Sequence, residues 1–205
     1  MAIIALIATA VSPSLDLDIA RATLLPANSP FRPAALVLRE VLRFTPWAVC
    51  IGVTIWLLVQ AQRGLMNRAL AFRRAAFVVG LFALGPGLLV NAGLKNHAHR
   101  PRPVQTVEIG PGTLPFRPYY RFDGGCSRNC SFSSGEASTA FWTAAPALLA
   151  PPPLRVVTVG AALLFGAFVS ATRMNIGAHF LSDVSFSALS ILLLTLAARH
   201  LLRLG

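Results

Sequence analysis

Apolar residues in this chain run in long, nearly unbroken blocks, separated by short polar stretches. A block approaching about 20 residues is long enough to cross a bilayer as one helix. Such blocks occupy 45–60, 76–94, 137–150, 156–171 and 184–198. Residues 2–12 form a shorter block, with no basic residue ahead of it and no obvious cleavage site behind it. It reads as a shortened first membrane helix rather than the apolar part of a leader. The stretch 34–44 differs, because Leu36, Val37, Leu38, Val41 and Leu42 are interleaved with Arg39, Glu40 and Arg43. That pattern predicts a short amphipathic helix at the membrane interface. The chain is therefore expected to be all-α. It should form a polytopic transmembrane bundle of about six helices in one membrane-embedded domain, 1–205.

Between the blocks, the polar stretches indicate sidedness. Residues 60–75 carry Arg63, Arg68, Arg73 and Arg74 with no acid, which marks a cytoplasmic loop. Pro151, Pro152 and Pro153 with Arg155 make a tight turn on the same side, and Arg199, His200 and Arg203 return there. Residues 95–135 and 173–183 then face the periplasm or cell exterior, and 95–135 is the one large extramembrane segment. Basic residues on that outer side run against the positive-inside rule. Binding a phosphate is one reason for them to be there.

Composition agrees with a lipid-facing bundle. Charged residues make up 12% of the chain and apolar residues 55%, with mean hydropathy +0.65. A soluble domain carries about 25% charged residues. A net charge of +11 on a soluble patch would suggest nucleic acid. Here the arginines cluster between apolar blocks, so the expected partners are the bilayer and anionic headgroups, with no nucleic acid. Cys50 lies inside an apolar block and reads as a small buried hydrophobe. Cys126 and Cys130 share a polar loop. They can pair in an oxidising compartment, bind metal with other groups in a reducing one, or stay as thiols.

Three short constellations carry candidate chemistry. In the first, Lys95 ends an apolar block, and Arg102 stands between Pro101 and Pro103 on a stiff loop. Two cations so placed can grip one phosphate, the arginine fork binding bidentately. Taken alone, a snorkelling lysine beside a headgroup-facing loop explains them better. The second is Ser133-Ser134-Gly135-Glu136, leading into an apolar helix. Ser133 or Ser134 suits an N-cap, and Ser133 with Glu136 fits a capping box. The same helix start, with Gly135 permitting close approach, is an anion cradle. The third is Arg173, His179 and Asp183. The last two stand four residues apart, so on a helix they share one face. A carboxylate on one imidazole nitrogen fixes the tautomer and leaves the other nitrogen free to attack.

In order and spacing, these segments resemble the type 2 phosphatidic acid phosphatase family, whose motifs are K-x6-R-P, P-S-G-H and S-R-x5-H-x3-D. Lys95 through Pro103 match the first. Arg173, His179 and Asp183 match the third, with Thr172 in place of serine. The resemblance covers roughly residues 70–200. It implies a helical bundle shared with vanadium haloperoxidases, with the site at the outer membrane interface of a bacterial inner membrane. It also implies His179 as a nucleophile forming a phosphohistidine and Asp183 as its orienting partner. Lys95, Arg102 and Arg173 become the phosphate clamp, with Ser134 and Gly135 donating to the phosphate. No metal or cofactor is implied, since the cations supply the electrostatics.

The second motif departs from the family, with Ser133-Ser134-Gly135-Glu136 where Pro-Ser-Gly-His is usual. The family's histidine there is the proton donor to the leaving oxygen. Glu136 fills that catalytic place only where its surroundings favour the protonated form; burial and phosphate charge act for this, and nearby arginines against it. His97 and His99 are alternative donors, and a diphosphate or anomeric leaving group needs little protonation. Val104 to Glu108, Gly124-Gly125 and Cys126 to Phe132 are similar to the family's bacterial lipid A phosphatase branch. The expected substrate is thus a membrane lipid with a phosphate headgroup, lipid A ahead of phosphatidylglycerophosphate, phosphatidic acid and undecaprenyl diphosphate. A catalytically impaired phospholipid-binding member is the reading from another class. A plain membrane scaffold would leave the matched residues unexplained.

Overall fold

The computed structural model describes residues 1–204, the side chain of Asn96 apart. Among these residues no strand forms, and the one β-contact is an isolated bridge between Thr106 and Leu114. The N-terminal block folds as α1 (Ala2–Val11), which turns at Pro13 into α2 (Ser14–Thr23). The two helices are bent by 118°, so the first apolar block is half of a broken pair. The loop 95–135 rests on this pair: Tyr119 donates its hydroxyl to the Leu6 carbonyl at 3.3 Å, and Arg21 reaches the Glu108 carbonyl at 3.3 Å.

The stretch read as an interfacial helix is part of a longer one. α3 (Arg32–Leu42) leads into α4 (Thr45–Gln62), and together they make one spanning-length unit of 31 residues. Pro46 permits this because it sits in the first turn of α4, where the missing N–H has no intrahelical partner to lose. Side chains such as Val37, Ile51 and Ile55 stay exposed, as a lipid-facing surface requires.

α5 (Arg68–Phe82) starts at Asn67, whose side chain accepts from the N–H groups of Ala69 and Leu70. It then widens into a π-helical stretch over Ala83–Leu94, followed by the single turn α6 (Lys95–His97). Pro86 inside that stretch cannot donate an intrahelical bond, and its carbonyl accepts instead from the Asn91 amide at 2.7 Å. The chain is thereby delivered to Lys95 at the end of a helix, as its sequence predicts.

The block 137–150 is not one long helix. It folds as α7 (Gly135–Trp142) and α8 (Ala144–Ala147), short and mostly buried. Trp142 donates its indole N–H to the Val78 carbonyl at 3.2 Å and meets Phe82 edge-on at 4.8 Å. α9 (Pro152–Asn175) and α10 (Leu181–Leu201) pack around α7. Among the described residues four helical units are long and apolar enough to cross a membrane, or five if α1 and α2 count as one. The short buried α7 thus presents its N-terminus inside the bundle, beside the ends of longer helices.

Candidate active site

α7 begins at Ser134, whose hydroxyl accepts the Ala137 N–H at 3.3 Å. This cap is the simple one; Ser133 does not form a capping box with Glu136, and its hydroxyl is buried without a partner among the described residues. The first N–H groups of α7 lack intrahelical acceptors, as at any helix start. Gly135 lets other groups come close. A Cβ there would lie 2.5 Å from the Asn91 amide oxygen and 3.2 Å from the Lys95 ammonium. Glycine at this position therefore brings Lys95 onto the helix N-terminus.

The predicted cations do gather. Lys95 is held down to about 8, first by burial and then by repulsion from Arg102 and Arg173. Arg102 is also pushed below its ordinary value, chiefly by burial. Its guanidinium docks on Asn129, donating to the backbone carbonyl at 3.1 Å and to the side-chain oxygen at 2.9 Å. Asn129 lies between Cys126 and Cys130, which form a disulfide with Cα atoms 5.8 Å apart. Of the readings open for these cysteines, pairing is the one realised. Arg173, in the last turn of α9, is 4% exposed, and its Nε has no hydrogen-bond partner among the described residues. An arginine buried with an open donor is costly unless an anion completes it.

His179 does not sit on α10, as the four-residue spacing had suggested. It precedes the helix in an extended approach, because Gly177 turns the chain at φ +69°, and Phe180 is the N-cap. The imidazole Nδ1 is 2.8 Å from the Ser131 carbonyl, and Asp183 Oδ2 is further off at 3.7 Å. Among the described residues Nε2 has no hydrogen-bond partner. Burial lowers the His179 pKa to about 4 against the opposing pull of Asp183, and Arg173 and Arg102 lower it too. The ring is neutral near pH 7, with Nδ1 protonated and Nε2 free. Those two arginines also repel Lys95, so nucleophile and cations share one neighbourhood.

Asp183 is occupied by structural bonds. It accepts from the Phe180 N–H at 2.8 Å, from the Ser131 hydroxyl, and from Arg100. Glu136 lies between two arginines: Arg39 donates Nε and Nη2 to one carboxylate oxygen at 3.1 and 2.9 Å, and Arg173 Nη1 is 3.5 Å from the other. His97 and His99 are tied by Nδ1 to the Gly93 and Cys126 carbonyls at 2.6 and 3.0 Å. Among the described residues no group of three or more His, Cys, Asp or Glu side chains could hold a metal ion.

Sequence reasoning missed three residues of this region. Arg39 was placed on an interfacial helix, yet it reaches Glu136 across 97 positions. Asp16 and Arg100 form a buried ion pair at 2.8 Å. The available signal was two acids two residues apart, Asp16 and Asp18, which on one helix cannot share a face.

From Lys95, Gly135 and Glu136 an apolar groove of about 890 Å³ leads away between α4 and the wide helix, past Trp47, Cys50, Ile51 and Phe82. Lys95 is the member of the cation cluster that lines it, with Glu136 beside it.

A family model described as the PAP2 superfamily matches residues 75–203. A protein of Rhizobium leguminosarum named Lipid A 4'-phosphatase is 38% identical over 167 residues, covering 80% of this chain and 71% of that one. Its namesake in Rhizobium etli is 39% identical over 158 residues, 76% of this chain and 61% of the other. A third, in Francisella tularensis subsp. novicida, is 39% identical over 126 residues, 60% and 56% of the respective chains. No solved structure matches.

Proposed function

This chain belongs to the PAP2 superfamily, and on that footing we propose that it is a multi-pass membrane phosphatase acting on a phosphorylated lipid through His179. The observation that carries the reading is the groove's polar end. A long apolar channel terminates on Lys95, Gly135 and Glu136, with the buried, incompletely bonded Arg173 beside them. That is the shape of a lipid tail leading to a phosphate.

In the reaction, Nε2 of His179 attacks phosphorus as the bond to the lipid oxygen breaks. Lys95, Arg102 and Arg173 oppose the charge on the equatorial oxygens, with the α7 N–H groups of Ser134 and Gly135 as further donors. The Ser131 carbonyl keeps the proton on Nδ1, and Asp183 favours the positive ring that forms. The leaving oxygen takes its proton from Glu136. A bound phosphate competes with Glu136 for Arg173 and so releases the carboxylate oxygen that faces it. Water then attacks phosphorus, the P–N bond breaks, and Glu136 regains a proton from that water.

The relatives' names point to lipid A bearing a 4'-phosphate as the substrate. Phosphatidylglycerophosphate, phosphatidic acid and undecaprenyl diphosphate are the alternatives. The setting is a bacterial inner membrane with the site on its periplasmic face. Sidedness draws support from Arg74, Arg155 and Arg203, which line one small cavity and so gather three basic segments at one end. One observation favours a phospholipid-binding member without turnover instead: the Arg39 fork on Glu136, which opposes proton donation.

Phosphate release from detergent-solubilised protein separates the two. Lipid A should lose its 4'-phosphate, the other three lipids should react more slowly, and His179→Ala should be inactive. Equal release by His179→Ala would remove the nucleophile assignment. Lipid binding without release in the wild type would leave the binding reading.

A further inference from the structure

α2 sends one carboxylate into the interior. Asp16 is 1% exposed, whereas the Asp18 side chain on the same helix is 63% exposed. A buried carboxylate is tolerated only where partners replace its lost water. Asp16 has three such bonds, two of them to Ser182 at the start of α10 and one to Arg100. Its Oδ1 accepts the Ser182 backbone N–H at 3.0 Å; its Oδ2 accepts Arg100 Nη2 at 2.8 Å and the Ser182 hydroxyl. Ser182 is in the first turn of α10, where the N–H has no intrahelical acceptor. A residue 166 positions away therefore caps this helix from outside.

The second half of the device is Arg100. It is fully buried, its guanidinium 4.4 Å from the Phe180 ring centroid and 5.4 Å from that of Phe116. Nε donates to the Arg117 carbonyl at 2.8 Å, Nη2 to Asp16, and Nη1 to Ser182 and Asp183. The fork is thus stretched between two carboxylates. Asp183 in turn holds the Phe180 N–H and the Ser131 hydroxyl, and Ser131 accepts the proton of His179. Without Asp16, Arg100 keeps one carboxylate and is free to tilt toward it. The strain falls on Asp183, then on Ser131 and the residues on either side of Phe180.

We propose that Asp16 is a positioning residue for the nucleophile. Through Ser182 and the Arg100 fork it fixes the first turn of α10, and so the line along which His179 meets phosphorus. It does this without touching the substrate. This rests on the phosphatase reading given above. A displacement of about 1 Å at a nucleophile costs on the order of 100-fold in rate. Arg173 stands on α9, and Arg102, although two residues after Arg100, is anchored separately on Asn129, so phosphate affinity does not run through the bonds of Asp16.

The test uses full-length solubilised protein and three variants. Asp16→Asn keeps the shape and one acceptor for Ser182 but removes the charge that holds Arg100. Ser182→Ala removes one bond to Asp16 and one from Arg100 and retains the backbone cap. Asp18→Asn is the control on the exposed face of α2. Asp16→Asn should lower kcat about 10–100-fold while KM for the lipid and the inhibition constant for inorganic phosphate stay at wild-type values. Ser182→Ala should show the same split, smaller in size, and Asp18→Asn should match the wild type. The double variant should lose less than the product of the two single losses. The retained phosphate inhibition certifies a folded clamp. Wild-type kcat in Asp16→Asn, beside an inactive His179→Ala, overturns this inference alone. So does a loss of phosphate affinity equal to the loss of kcat. A wild-type protein that releases no phosphate overturns the phosphatase reading, and this inference with it.

Discussion

The Nδ1 nitrogen of His179 lies 2.8 Å from the carbonyl oxygen of Ser131. A carbonyl can only accept, so the tautomer is fixed by the backbone and not by a side chain that mutation can alter. In enzymes where a carboxylate does this work, replacing it by the amide costs about 10⁴-fold through the wrong tautomer. Asp183→Asn should cost less here, about 10–100-fold in kcat, since Ser131 still accepts the proton. His179→Ala should cost on the order of 10³-fold or more. Steady-state phosphate release from the two variants checks the ranking, and equal losses would contradict it.

The pH profile follows from the same burial. His179 becomes protonated only near pH 4, and a protonated ring cannot attack. Lys95 loses its charge near pH 8 and with it part of the attraction for phosphate. In the free enzyme kcat/KM should therefore rise as pH increases through about 4, hold level, and fall above about 8. Lys95→Arg keeps the charge at high pH and should remove the upper fall. Rates on a short-chain phosphate ester between these limits would show it.

Glu136 has a direct exchange test. Glu136→Gln removes the transferable proton and should lower kcat about 100-fold or more. Glu136→His supplies the residue usual in the family and should restore turnover to wild type or above. Arg39→Ala, which frees one carboxylate oxygen, should raise kcat for the substrate with the poorest leaving group. Unchanged rates in all three would remove Glu136 from the proton path.

Gly135 is tested by one methyl group. The Cβ of Gly135→Ala would meet the Asn91 amide and the Lys95 ammonium at 2.5 and 3.2 Å. Both are side-chain ends and can move, so the helix should survive while Lys95 is displaced from its N-terminus. The expected result is a rise in KM of about tenfold, the loss of roughly one charge-assisted hydrogen bond. Phosphate inhibition should weaken in parallel, and an unaltered inhibition constant would contradict the placement of Lys95.

Much of this was legible in the chain. Continuous apolar length marked the spanning helices, and Lys95, Arg102, Arg173 and His179 were found from spacing and come together in space. What spacing could not convey was three-dimensional pairing. The His179–Asp183 interval matched one helical turn, yet the helix begins after His179, and the near partner is a backbone carbonyl that no side-chain motif records. Arg39 looked like an interfacial residue because its partner, Glu136, is 97 positions on. The short buried helix α7 was read as a span because apolar residues suit a core as well as lipid. Asp16 carried a weak signal, an acid two residues before another, and its meaning depends on Ser182 at the other end of the chain.

That long reach bears on how the protein comes into being. Arg100 has carboxylate partners 84 positions before it and 83 after it. A growing chain made from its N-terminus offers Asp16 first, so one counter-ion for the guanidinium precedes it in the chain. Asp183 arrives later, with α10, and the same segment brings in His179. The reacting group therefore waits for α10, while the charge that would be hardest to bury already has a carboxylate ahead of it in the chain.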